Sequence, residues 1–248
     1  MLEKTNWDNI MNKLYIFSPG FGLRNISPFC LKMEMALTYL TIDFELTELN
    51  DPRKAPKAKL PYMELNGETL SDSEIMFEQL NAITGGKLYH GLTAEQKAIG
   101  TAFSRLAEDH LYWLLVASRW LEDDWFPHVV AAFFAPMPIP LRWIIPSIAR
   151  KQVRKTLQLH GLGAHSREEM KGFARRDLQA ISDAIGSKPF LLGNEISAFD
   201  FTVGSMLSGI LDNKPDTWLS PIAREIDHLV DYTERVQQTI GVYGRIDP

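Results

Sequence analysis

The sequence predicts a small mixed α/β domain followed by an all-helical one, and two observations carry that expectation. Through Leu80 the chain reads strand, helix, strand, then hairpin and helix, with alternating residues in the strands and helical spacing in the helices. Past the glycine-containing stretch from Gly85 to Gly91 the pattern is helical only. The boundary there separates residues 1–84 from residues 92–248.

Lys13 to Phe17, KLYIF, is the first strand and stops at the turn cluster Ser18-Pro19-Gly20. The first helix starts at Ser27, because serine is a preferred N-cap and Pro28 suits the first helical position, where a missing N–H costs nothing. Phe29, Cys30, Met33, Ala36, Leu37 and Leu40 then recur at helical intervals. Ile42 to Leu49 alternates as a half-buried strand does, so strand, helix and strand form a parallel unit with a right-handed crossover. Tyr62 to Leu65 and Glu68 to Leu70 flank Asn66-Gly67, a tight hairpin signal. The next helix opens with Ser71 or Asp72 as its cap. In the second half, Thr93 to Gln96 and Ser166 to Glu169 read as capping boxes. Ser197 to Asp200 repeats the arrangement, with Ile196 placed to staple against Phe201. These boxes open helices from Ala94 to about Asp123, from Ser166 to about Gly186, and from Ser197 onward. A last helix runs roughly from Pro221 to Ile240.

Composition narrows the class. A content of 45% hydrophobic and 23% charged residues is that of an ordinary globular protein, so disorder is not expected. A net charge of −5 argues against nucleic-acid binding, which needs concentrated Lys and Arg. The single cysteine excludes an intramolecular disulfide framework and a paired-cysteine zinc site, and fits a reducing, cytoplasmic setting. The N-terminal stretch lacks the basic and apolar regions of a secretory signal. Phe126 to Ile148 is apolar but is interrupted by Pro127, Pro136, Pro138, Pro140 and Pro146, which argues against a membrane span. A buried, irregular connection is the preferred reading. Arg150, Lys151, Arg154 and Lys155 come directly after it and leave peripheral contact with a membrane surface open.

Two stretches resemble the glutathione transferase superfamily: KAKLPYMELNGETLSDSEIMFEQL, with its Lys-x-Pro strand, hairpin and acidic-Ser pair, and FLLGNEISAFDFTV, with its capping-box helix. SPFCLKMEMAL, DHLYWLLVASRWLEDD and GLGAHSREEM look like its failed axon connections branch, with metaxins as more distant relatives. The resemblance implies the glutathione transferase fold, a thioredoxin-like α/β domain followed by an all-α domain. It also implies glutathione as co-substrate, no metal, no nucleotide, and a homodimer.

Residue by residue, it implies that Pro61 follows a cis peptide bond, so that Leu60 offers its N–H and C=O to the cysteinyl part of glutathione as a strand would. An ordinary trans proline at a strand start is the alternative. Asp72 and Ser73, at a helix N-terminus, would take the γ-glutamyl carboxylate and amine, although the pair is equally a cap on local grounds. Lys59 would meet the glycyl carboxylate, or stand solvated beside Lys54 and Lys57. The thiol would lie at the first turn of the first helix, where Ser27 could donate to the thiolate, with Ser18 as the competing hydroxyl. Relatives doing disulfide exchange carry Cys at this position. A serine cannot form the mixed disulfide that such exchange requires. His110, Trp113 and Arg119, near one face of the long helix, are candidates to line the site of a second, electrophilic substrate, roofed by the Phe126–Ile148 stretch. Each also reads as core or surface packing.

The expected activity is conjugation of the glutathione thiolate to an electrophilic carbon. The alternatives are a non-catalytic binding or scaffold module on the same fold, and, less favoured, a glutathione-dependent thiol–disulfide oxidoreductase.

Overall fold

The computed structural model describes residues 11–49 and 51–246. The reading that excluded a secretory signal rests largely on residues 1–10, which lie outside the described residues.

Strand β1 (Asn12–Ile16), helix α1 (Pro28–Tyr39), strand β2 (Phe44–Glu48), strands β3 (Tyr62–Leu65) and β4 (Glu68–Ser71), and helix α2 (Ser73–Ile83) build the first unit. The sheet order is β2-β1-β3-β4, with β1 parallel to β2 and both hairpin strands antiparallel to their neighbours. The β–α–β then β–β–α order predicts this arrangement, because a helical crossover returns the chain parallel while a two-residue Asn66-Gly67 turn reverses it. Asn66 and Gly67 both adopt the positive φ that such a turn needs.

The remainder is helical: α3 (Ala94–Arg105), α4 (Tyr112–Trp120), α5 (Phe126–Phe134), α6 (Leu141–His160), α7 (Arg167–Ile185), α8 (Ala198–Leu211), α9 (Leu219–Arg224) and α10 (Asp227–Ile240). Three expectations change. The last helix, expected from about Pro221 to Ile240, is two, α9 and α10, parted at Glu225 and Ile226. The long helix beginning at Ala94 is not uniformly α-helical, since Leu106–Leu111 form a π-helical stretch between α3 and α4. The Phe126–Ile148 stretch is not irregular and buried. It folds as α5, a turn through Pro136, Pro138 and Pro140, and the first half of α6, with much of its surface in solvent. Proline is tolerated at the start of α5 and in the turn, and Pro146 sits inside α6 on its buried side. None of the helices among the described residues is long and apolar enough to cross a membrane.

α8 is the centre of the helical part, buried from Ala198 to Ile210, and α1 packs along it. α1 is accordingly buried on nearly every side, Lys32 and Glu34 included. Gly209 makes this approach possible: a Cβ there would stand 2.9 Å from Pro28 Cγ, so only glycine lets α8 close on the first turn of α1.

Candidate functional site

Tyr15 of β1 lies opposite Tyr62 of β3, and Tyr62 opposite Ser71 of β4. The end of β1, the start of β3 and the end of β4 therefore share one edge of the sheet. α1 carries the chain back from the end of β1 to the start of the parallel β2, so its N-terminus lies at that edge too. The topology gathers Ser27, Leu60-Pro61 and Asp72-Ser73 there.

Ser27 has an extended backbone (φ −106°, ψ 118°), and its C=O accepts from the N–H groups of Cys30 (3.0 Å) and Leu31 (3.1 Å). It is the N-cap by position, yet its hydroxyl makes no capping hydrogen bond. The hydroxyl faces the Cys30 sulfur, with the Asn25 side chain and the Phe17 backbone also near it. Pro28 has no N–H, and the Phe29 N–H has no partner among the described residues. The first turn of α1 thus keeps a donor and the positive end of the helix dipole for an anion. Asn25, 2% exposed, accepts from the Ser27 N–H through Oδ1 at 3.2 Å, and its Nδ2 is unpartnered. Cys30 is fully buried, and burial pushes its thiol up to about 12, which makes it an inert core residue.

The Leu60–Pro61 peptide is cis. Leu60 makes no backbone hydrogen bond among the described residues. Asp72 caps α2, accepting from the Glu74 N–H at 3.0 Å, and it does so at φ +96°. A non-glycine residue at that φ is strained, and such strain collects at ligand clamps. Ser73 comes next as the first, buried residue of α2, and Ser71 Oγ is buried without a partner. Lys59 is exposed and pairs with no carboxylate among the described residues. Ser18 donates to Glu48 Oε2 at 2.5 Å, so its hydroxyl is engaged with a carboxylate at the sheet edge.

His110, Trp113 and Arg119 do not come together. His110 Nδ1 meets Asp177 of α7 at 2.5 Å, and burial raises the pKa of Asp177 against the opposing pull of the histidine. Trp113 packs on His160 of α6, ring centres 5.3 Å apart. Arg119 turns inward: its guanidinium donates to the C=O of Ile26 (3.0 Å), the C=O of Gly209 (2.8 Å) and Asn213 Oδ1 (2.9 and 3.1 Å). Burial lowers its pKa to about 9, still charged at neutral pH. Helical spacing itself parts them, since Arg119 stands nine residues after His110 and six after Trp113, about 180° and 120° round an α-helix. Arg119 is not a surface for substrate but a clamp that fixes the residue before Ser27.

Sequence reasoning missed a second tie between the two halves. Lys32 of α1 pairs with Glu108, and Arg105 bridges Glu108 (3.6 Å) and Glu74 of α2 (2.5 Å). Lys32 Nζ also lies 4.9 Å from the Phe77 ring centre. The signal was present: Lys32 stands three residues after Phe29 and four before Ala36, a charge on a stripe that must be buried. Asn25 and Tyr112, whose hydroxyl is within electrostatic reach of Cys30 and Arg119, carried no comparable signal.

A cavity of about 320 Å³ lies between Pro19–Gly22 on the loop before α1 and His128, Ala131 and Ala132 on α5, with Lys214 at its edge. It does not include His110, Trp113 or Arg119. Among the described residues, no group of three or more His, Cys, Asp or Glu side chains is placed to hold a metal ion.

A thioredoxin-like sheet with a cis-proline, joined to a helical domain around a buried central helix, is the architecture of glutathione transferases. The glutathione S-transferase N-terminal domain matches residues 28–125 and the C-terminal domain matches residues 174–236. The isoprene-epoxide glutathione S-transferase of Rhodococcus sp. (strain AD45) is 32% identical over 94% of this chain and 100% of its own length. Failed axon connections of Drosophila melanogaster is 30% identical over 99% of this chain, which spans 59% of that protein's length. A glutathione S-transferase structure from Rhodospirillum rubrum F11 shares the fold, with a TM-score of 0.57 at 18% identity over 92% of this chain and 88% of that one. This chain belongs to the glutathione S-transferase family and shares its fold.

Proposed function

We propose that this protein binds glutathione at the sheet edge and conjugates its thiolate to an electrophilic carbon. The observation that carries the reading is the first turn of α1, where an uncommitted Phe29 N–H, the helix dipole and a non-capping Ser27 hydroxyl converge on the place a thiolate would occupy. Leu60 would pair with the peptide backbone of the ligand, Asp72 and Ser73 would hold its γ-glutamyl end, and Lys59 its glycyl carboxylate. The protein's contribution is orientation and stabilisation of the thiolate, not covalent catalysis. The cavity between the α1 loop and α5 would take the acceptor. An epoxide is the first class to try, given the activity named for the Rhodococcus relative. A homodimer in a reducing compartment is the expected working form.

A second reading has one observation behind it. The Ser27 hydroxyl faces Cys30, so a site that binds glutathione without turnover, on a scaffold protein, is consistent with the same geometry. Disulfide exchange is disfavoured, because the position that would need a thiolate holds serine and Cys30 is buried and protonated. Calorimetric titration with glutathione, followed by a conjugation assay with an epoxide, separates these. Binding with turnover supports the transferase, binding alone supports the scaffold, and neither removes both.

A further inference from the structure

We propose that the exposed face of α6, together with the turn before it, docks on the surface of an anionic phospholipid bilayer. Three observations point there. First, apolar side chains of α6 and the turn before it stand in solvent: Ile139 is 59% exposed, Ile148 58% and Ile144 52%, and Trp143, about a third of a turn round the helix from the isoleucines, 69%. Grouped exposure of this kind marks an interaction surface. Second, Leu141, Ile144, Ile148, Lys151, Lys155 and Leu159 recur three and four residues apart, so they form one outward stripe opposite the buried Pro146 and Leu157. Third, the charge is one-sided. From Phe126 to Ser166 the sequence has no Asp or Glu, within a chain of net charge −5.

The cations of α6 divide by task. Arg150 is engaged within the protein, donating to the C=O of Trp120 and Leu121 and pairing with Asp123 at 2.8 Å. Arg142, Lys151, Arg154 and Lys155 pair with no carboxylate among the described residues, and Lys151, Arg154 and Lys155 are exposed beside the apolar stripe. Apolar side chains that enter the headgroup boundary, flanked by unpaired cations facing lipid phosphates and carboxylates, define a helix lying in the interface plane. Trp143 is the side chain suited to that depth. A second copy of the chain is a poorer occupant, because this stretch has no Asp or Glu to pair with Lys151 and Lys155 across a two-fold contact.

The test is flotation of the full chain with vesicles of phosphatidylcholine alone and of phosphatidylcholine with about 30% phosphatidylserine. The protein floats with the anionic vesicles only, and raising the salt to about 0.5 M releases it, because screening shortens the reach of its cations. Each cation contributes roughly fivefold, so Lys151→Glu with Lys155→Glu lowers partitioning ~25-fold or more. Trp143→Ser lowers it about tenfold. These positions are exposed, so the variants keep the wild-type circular dichroism and melting temperature. The proposal is overturned if wild type fails to float, or if both variants float as wild type does. Self-association in sedimentation velocity that Trp143→Ser abolishes, without flotation, would assign the face to a second copy of the chain. Glutathione titration plays no part in this readout, so the result stands apart from the conjugation reading.

Discussion

The start of α1 and the boxed helix starts of the helical half both carry a capping residue and use it differently. In the helical half, Thr93 Oγ1 accepts from the Gln96 N–H at 3.2 Å while Gln96 Oε1 accepts from the Thr93 N–H at 2.9 Å. Ser166 and Glu169 close the same box at 3.3 and 2.8 Å. At α8 the Asp200 carboxylate accepts from the Ser197 N–H and hydroxyl, both at 2.9 Å. Ser27 is also a preferred N-cap followed by Pro28, but Cys30 stands where the boxes carry Gln, Glu or Asp, and the Ser27 hydroxyl caps nothing. A cap signal reports where a helix begins. Whether the hydroxyl is consumed there depends on what else the fold places around it.

The largest effect expected from breaking this contrast is at Asp200. Besides Ser197 it accepts from the Leu191 N–H at 2.8 Å and from the Tyr232 hydroxyl at 2.9 Å, all in the interior. Asp200→Ala strands several buried donors, each costing ~1–3 kcal/mol, so a loss of about 4 kcal/mol or outright unfolding is expected in urea denaturation. Arg119→Met comes next. It leaves the carbonyls of Ile26 and Gly209 and Asn213 Oδ1 unpaired, for roughly 3 kcal/mol, while relieving the cost of a buried cation. Because Ile26 precedes Ser27, glutathione affinity measured by calorimetry should fall as well. A variant that loses stability but binds as wild type would confine Arg119 to the helical core. Ser166→Ala, by contrast, removes a surface cap alone and should cost ~1 kcal/mol with no change in binding.

The same contrast explains which features are legible from sequence. Sheet, hairpin and helix starts can be read because they depend on local chemistry: alternation in Ile42 to Leu49, the Asn66-Gly67 turn, the boxes at Thr93 and Ser166. Ser27, Leu60-Pro61 and Asp72-Ser73 converge because topology is set by that order of elements. The second-substrate grouping fails on spacing that the sequence does show: Arg119 stands about 180° from His110 and 120° from Trp113 round an α-helix, so the three share no face. The π-helical stretch at Leu106–Leu111 is what the sequence hides, with no glycine or proline to announce it. The Phe126–Ile148 stretch departs from expectation for a related reason: proline rules predict interruption, and they do not say that the pieces between interruptions will be helices facing solvent.

The smallest effect on stability, and the sharpest test of the comparison, is expected from Ser27→Ala. With no capping bond to lose, its cost should be a few tenths of a kcal/mol, below that of Ser166→Ala. If the hydroxyl donates to the bound thiolate, its loss removes a hydrogen bond to a charged group, worth roughly 1.5–3 kcal/mol, so conjugation near neutral pH falls by about 10- to 150-fold. Less stabilisation of the anion raises the pKa of the bound thiol, so the rate profile of the variant shifts to higher pH and its deficit shrinks in alkali. Ser27→Cys extends the test, since a thiol at this helix terminus should be alkylated by iodoacetamide in the folded protein, whereas Cys30 reacts only on unfolding. A Ser27→Ala variant as destabilised as Ser166→Ala, with an unmoved rate profile, would make Ser27 an ordinary cap and erase the distinction between α1 and the boxed helices.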